Sequence, residues 1–347
     1  MEFRKCDIDQ DCESVDTNEA LSEMLGFTIQ DSENYWQDEE EPEYDNTNHD
    51  LSLPMFPLLR LEHILHQDDA YKRYNEQGVY TFPREFSLSP LLLHRLTEEI
   101  RLAPLDSKEY GDRTFETIQG VRTLTRLENF VPDKPSSDKT TWFDVCHDYV
   151  GHQLVSTLCQ QPMVLYKEKL NFKPPKGGKG FAPHLDGPSL GVLYEEGQGP
   201  HTFVTIMIAI DKMTKQNGCL RVVRGSWSQD RHVPLEEYVK EGNPDGDGRA
   251  GAIPLHVADS MCFEDIECDV GTIVAFNAWV PHRSSANYSE MQRRAIFLTY
   301  NPAAEGDYRK YYYEQMTRMR DAYRTANSHI KQIDIQNDLD ALTTIPK

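Results

Sequence analysis

CxxC spacing is absent from the 347-residue sequence, and its seven cysteines, Cys6, Cys12, Cys146, Cys159, Cys219, Cys262 and Cys268, are odd in number and scattered. Neither a thiolate zinc site nor a disulfide framework is indicated, and reduced thiols are the expectation. Long apolar runs are missing too. The longest, around Phe203–Ile210, is far too short to cross a bilayer, and the opening MEFRKCDIDQ is acidic with no apolar stretch of signal-peptide type. Basic residues are in deficit: 36 Lys and Arg face 57 Asp and Glu, a net charge of -21. No basic stripe offers itself to nucleic acid or anionic lipid. A cytoplasmic protein acting on a small-molecule substrate, with no nucleic acid and no membrane, is what these absences leave.

The acid is concentrated at one end. Residues 1–55 carry 17 Asp and Glu against Arg4 and Lys5, a balance of -15, and few aliphatics. Such a segment cannot offset the entropy of ordering itself, so disorder is expected over 1–55, with a protein partner as its one conceivable role. Order is expected over 56–330, followed by a C-terminal tail at 331–347. Residues 58–77 read as a helix and Gly78–Phe82 as a strand. Ser89-Pro90 is a helix start, because Ser caps and Pro suits the first turn, with Leu92, Leu93, Leu96 and Ile100 following at helical spacing. Another helix is read from Trp142 to Leu158.

From Met163 the texture changes. Short β-rich runs at 163–172, 180–186, 202–210, 219–223, 252–257, 270–276 and 293–300 alternate with Gly, Pro and Asn, without helices between them. That is the pattern of an antiparallel sandwich or barrel. Residues 226–251, rich in Gly and acid, make a loop long enough to be a lid. A closing helix is expected over about 306–327.

Within the β region, Pro183-His184-Leu185-Asp186 puts a His and an Asp two residues apart. On extended backbone these point to one face, so both can reach one metal. His282 follows a later strand and would complete two His and one carboxylate, a set that leaves positions open for a co-substrate and O2. Eleven residues on, Arg293 opens the last strand, where a guanidinium can take a carboxylate through two parallel hydrogen bonds. Alternation also aligns Lys167, Lys169 and Asn171 on one face of the 163–172 strand.

These motifs, HxD, then Asn217-Gly218-Cys219-Leu220 through Gly225-Ser226, then GTIVAF, His282 and Arg293-Arg294-Ala295-Ile296, resemble the phytanoyl-CoA dioxygenase superfamily. The likeness covers about residues 60–325. Leu165–Phe172 and Thr125–Phe130 look like its branch acting on 2-aminoethylphosphonate, although Leu185 stands where that branch is expected to have Gln. The resemblance implies a mainly β fold with flanking helices, a double-stranded β-helix (jelly roll). It implies Fe(II) held by His184, Asp186 and His282, and 2-oxoglutarate clamped by Arg293 with Ser284, Lys169 and Asn171 near it. Substrate contacts would come from Arg126, Asn129 and Lys167, and Glu128, Glu195 or Glu196 could receive an ammonium. The reaction expected is hydroxylation of an aliphatic C–H with O2, releasing succinate and CO2. Two alternatives stay open: an acyl-CoA or protein side-chain hydroxylase of the same family, and a jelly-roll binding module with a vestigial site.

Overall fold

The computed structural model describes residues 69–103, 111–191, 202–225 and 251–326, with Leu53, Leu65 and His66. The acidic segment before Leu53, residues 58–64 of the first expected helix, Glu195, Glu196, positions 226–250 and the tail 331–347 lie outside the described residues.

Helix α1 (Ala70–Gln77) leads into β1 (Val79–Thr81) through Gly78, whose φ of 70° ends the helix in the left-handed conformation that Gly adopts without strain. Helix α2 (Pro90–Leu102) begins as its sequence demands: Ser89 Oγ accepts from Leu92 N and Pro90 occupies the first turn. Its buried stripe is Leu92, Leu93, Leu96 and Ile100, and each such side chain gains about 1.5–3 kcal/mol on leaving water. The Trp142–Leu158 segment is helical, but Asp144–Val155 (α3) is wound in the π register before an α turn, α4 (Ser156–Cys159). Carbonyls of α3 find partners beyond its own ladder: Cys146 O accepts from Tyr300 Oη at 2.6 Å and Gly151 O from Ser156 Oγ at 2.8 Å.

Two antiparallel sheets follow. The larger orders β1, β9 (Ile273–Asn277), β6 (Val204–Ala209), β11 (Arg293–Pro302), β4 (Met163–Lys173), β3 (Val121–Glu128) and β2 (Asp112–Ile118). The smaller orders β5 (Phe181–His184), β10 (His282–Ser284), β7 (Leu220–Val222) and β8 (Glu264–Ile266). Alternation along β6 and β11 sorts the core into two layers. Ile206, Ile208, Ile296 and Leu298 face the helices beside Leu92 and Leu96, whereas Met207, Ala209 and Ala295 face the second sheet beside Leu220 and Val222. This is the jelly roll, with α1–α3 on the outer face of its larger sheet. Helix α6 (Arg309–Ala326), the last described element, packs against β4.

One expectation is corrected and one element is new. Residues 252–257 are not a strand: Pro254 lacks the N–H a ladder needs and instead caps a helical turn, α5 (Leu255–Ala258). The β2–β3 hairpin was not foreseen. It turns at Gln119-Gly120, both at positive φ, which is the two-residue hairpin turn in a less familiar sequence.

Candidate active site

Pairing across the inner face of the larger sheet fixes the site. Lys167 stands opposite Thr299 and Thr299 opposite Thr205, forming one rung; Lys169 and Phe297 form the next; Lys173 and Arg293 close the row at its far end. From the smaller sheet, His282 pairs with His184. A cavity between the sheets gathers both sets: the His184, Asp186 and His282 side chains, Arg126, Lys167, Lys169 and Asn171 along β3 and β4, and Ser284 and Arg293 beyond.

The three metal candidates converge. One nitrogen of each His and one Asp186 oxygen lie within 4.8 Å of one another, and His184 Nε2 and His282 Nε2 are each 3.8 Å from Asp186 Oδ1. The opposite ring nitrogens are already used: His184 Nδ1 donates to the Ala182 carbonyl at 2.7 Å and His282 Nδ1 to the Val280 carbonyl at 3.0 Å. A nitrogen facing a carbonyl carries the proton, so both Nε2 lone pairs are turned inward. Thr205 Oγ1 donates to Asp186 Oδ2 at 3.0 Å, which leaves Oδ1 toward the imidazoles. Burial opposes the charge of Asp186, yet His282, His184, Lys167 and Lys169 together hold its carboxyl at about 2. Two imidazole nitrogens and one carboxylate oxygen, with no fourth protein ligand among the described residues, suit ferrous iron with positions left for exogenous ligands.

Arg293 is 1% exposed, and its Nη2 donates to the Gly218 carbonyl while Nε and Nη1 are buried without a hydrogen-bond partner. Burial pushes this guanidinium down to about 10. Orphaned donors on a buried cation at the end of a cavity fit the carboxylate of a co-substrate. Lys167 is 8% exposed, with its Nζ 5.6 Å from the centre of the Tyr312 ring. Burial, then the neighbouring Lys169, pushes it down to about 7. Lys169 has a partner, Glu128 at 3.6 Å, and Arg126 donates to Asn171 Oδ1 at 3.3 Å.

Leu185, between the two metal candidates, points to the opposite side by alternation and is fully buried against Ile253, Ala258 and Phe263. Asn129 is placed away from the cavity. Its Oδ1 accepts from Arg309 and its N–H donates to Tyr313, so it secures α6 instead. Glu128 is likewise engaged, with Arg320 at 2.9 Å. Sequence reasoning passed over Thr205, whose role leaves no pattern, and Lys173, whose inward direction the same alternation of β4 announces.

The phytanoyl-CoA dioxygenase (PhyH) family profile matches residues 64–295, about two thirds of the chain. The chain belongs to the phytanoyl-CoA dioxygenase family. Its relatives within that family are named dioxygenases and hydroxylases. The 2-aminoethylphosphonate dioxygenase of an uncultured bacterium is 35% identical over 61% of this chain and 71% of its own. The methylphosphonate hydroxylase of Gimesia maris is 29% identical over 72% of this chain and 86% of its own. Among solved structures, EctD from S. alaskensis in its apoform aligns over 73% of this chain and 79% of its own with a TM-score of 0.50. At 16% identity that likeness speaks for the dioxygenase's jelly roll alone. Among the described residues, no helix of the dioxygenase is long and apolar enough to cross a membrane.

Proposed function

We propose that the enzyme hydroxylates an aliphatic C–H of a small phosphonate, an aminoalkylphosphonate first. His184, Asp186 and His282 would hold the iron, and Arg293 with Ser284 the far carboxylate of 2-oxoglutarate. Iron held there, with 2-oxoglutarate and O2, would supply the oxidising chemistry for the C–H, with succinate and CO2 as the co-products. The chain's own residues bind, orient and exclude water.

The observation that carries the substrate reading is the charge of the lining. Arg126, Lys167, Lys169 and Arg283 surround the space beside the iron candidates, and Asp186 is the one carboxylate lining the cavity among the described residues. Lys167 in particular is buried and makes no ion pair among the described residues, with Asp186 and Glu128 only near it, so an anion entering there restores its preferred charge. The two curated relatives share the phosphonate in their names but not the amine. Glu128, a candidate for the ammonium, is taken by Arg320 and Lys169. The support is therefore stronger for the anion than for the ammonium.

Succinate release in the presence of 2-aminoethylphosphonate, methylphosphonate and an acyl-CoA tests this reading. Stimulation by a phosphonate is expected; stimulation by the thioester alone would transfer the enzyme to the other branch. Lys167→Met should raise the KM for the phosphonate by about tenfold or more, the weight of one buried charge-assisted contact, while leaving that for 2-oxoglutarate within about twofold. Arg293→Lys should do the reverse. It keeps a charge but loses the fork, so the 2-oxoglutarate KM should rise by roughly one to two orders of magnitude. A selective effect of Arg294→Ala instead would move the assignment by one residue, which the Arg294 pairing to Asp211 at 2.8 Å argues against.

A further inference from the structure

Lys173 ends β4 on the same inner face as Lys167 and Lys169, yet it does not line the cavity. It is 1% exposed, and its Nζ donates to Ser284 Oγ at 2.8 Å, to the Gly218 carbonyl at 3.2 Å and to the Ser285 carbonyl at 2.5 Å. Three acceptors use the three protons of an ammonium. None of them is a carboxylate, and the nearest cross-strand neighbour is another cation, Arg293. Burial, then that guanidinium, push Lys173 down to about 6, against which the three acceptors around Nζ hold its protons in place. Close approach makes the cage: a Cβ on Gly218 would come within 2.9 Å of Nζ, and one on Gly178 within 2.7 Å of the Lys173 Cα. Asn287 seals it by donating to the Lys173 carbonyl at 2.9 Å. Two like charges buried side by side are unfavourable unless something is gained at the site they serve.

Two of the three groups that Lys173 holds, Gly218 and Ser284, belong to the Arg293 end of the cavity. The Gly218 carbonyl also accepts from Arg293 Nη2, so one carbonyl orients both cations. Ser284 Oγ accepts from Lys173 Nζ and from Phe181 N at 3.3 Å, which fills its two lone pairs. Its own proton is then left to donate, and Ser284 lines the cavity together with Arg293. We infer that Lys173 is a positioning residue for the co-substrate: it fixes the carbonyl against which Arg293 is aimed and turns the Ser284 hydroxyl proton toward the carboxylate that Arg293 receives. This rests on the reading of Arg293 as the 2-oxoglutarate clamp.

The test is anaerobic calorimetric titration of 2-oxoglutarate into the full chain loaded with Mn(II), beside kcat at saturating co-substrate and thermal unfolding. Lys173→Met should weaken 2-oxoglutarate binding by about tenfold, one lost buried hydrogen-bonded contact, while kcat at saturation stays within about threefold. If Arg293→Lys weakens binding and a folded Lys173→Met does not, the inference is overturned and the clamp stands. If Arg293→Lys leaves binding intact, the clamp itself is lost first. A fall in kcat as large as the fall in affinity would mark Lys173 as merely structural. Should Lys173→Met fail to fold, Ser284→Ala decides: selective weakening of 2-oxoglutarate binding supports the arrangement, and unchanged binding removes it.

Discussion

Replacing His184 or His282 with Ala is expected to abolish turnover, by at least about a thousandfold or roughly 4 kcal/mol of activation free energy. Each imidazole is held by its own Nδ1 hydrogen bond to a carbonyl, so its removal takes a ligand away without disturbing the strands that carry it. The two remaining donors cannot make the facial set. Iron content measured on the purified variants should fall with activity. Thr205→Ala grades the claim, because it removes only the hydrogen bond that turns Asp186 Oδ1 inward. Loss of such an outer partner costs about 10–100-fold in metal affinity or activity. Full activity in either His variant, with iron retained, would show that the metal sits elsewhere. A Thr205 variant as inactive as the His variants would show that Asp186 needs this hydrogen bond to bind at all.

What could be read beforehand depended on how far each feature lies from the chain's own local pattern. His184 ends β5 and Asp186 opens the helical turn that follows it, and the two-residue spacing that announced them as a pair still brings both to one point. The inward set Lys167, Lys169 and Asn171 follows in the same way. The Ser89-Pro90 start of α2 needs only a cap and a fixed φ. Features set by distant partners were hidden. The π register of α3 involves Tyr300, more than a hundred residues away, reaching the Cys146 carbonyl. Asn129 has a sequence position beside the substrate strand but a left-handed φ of 55° that turns it toward α6. The β2–β3 hairpin was legible in principle, as Thr114, Phe115, Thr117 and Ile118 before Gln119-Gly120 and Val121, Thr123 and Thr125 after it are residue types that favour strands. Its strands are largely half-buried and so lack the apolar periodicity that marks β6 and β11. Glu168 shows the limit most clearly. As a charged residue at the middle of β4 it suggests solvent, and the structure buries it completely.

That burial makes Arg309→Met the variant expected to damage stability most. Arg309 meets Glu168 with two parallel hydrogen bonds, Nε to Oε2 at 3.1 Å and Nη2 to Oε1 at 2.6 Å. The Val131 N–H and the Tyr313 hydroxyl complete the shell around the carboxylate. Removing the guanidinium strands a buried charge, and breaking such a pair from one side costs about 3–5 kcal/mol. Urea unfolding should therefore show a much lower midpoint with an unchanged slope. The double variant Glu168→Leu with Arg309→Met should recover much of the loss, because an apolar pair of similar volume leaves nothing unpaired. The effect should also reach the cavity. Arg309 opens α6, and three residues on, Tyr312 lies under the Lys167 ammonium and packs against Tyr166 with ring centres 5.0 Å apart. Where Arg309→Met still folds, at low temperature, loosening of α6 should weaken phosphonate binding while 2-oxoglutarate, proposed to bind at the Lys173 end of the same strand, binds as before. Equal weakening of both ligands would mean that α6 supports the whole barrel, and a variant as stable as the parent would mean that Glu168 finds another partner once Arg309 is gone.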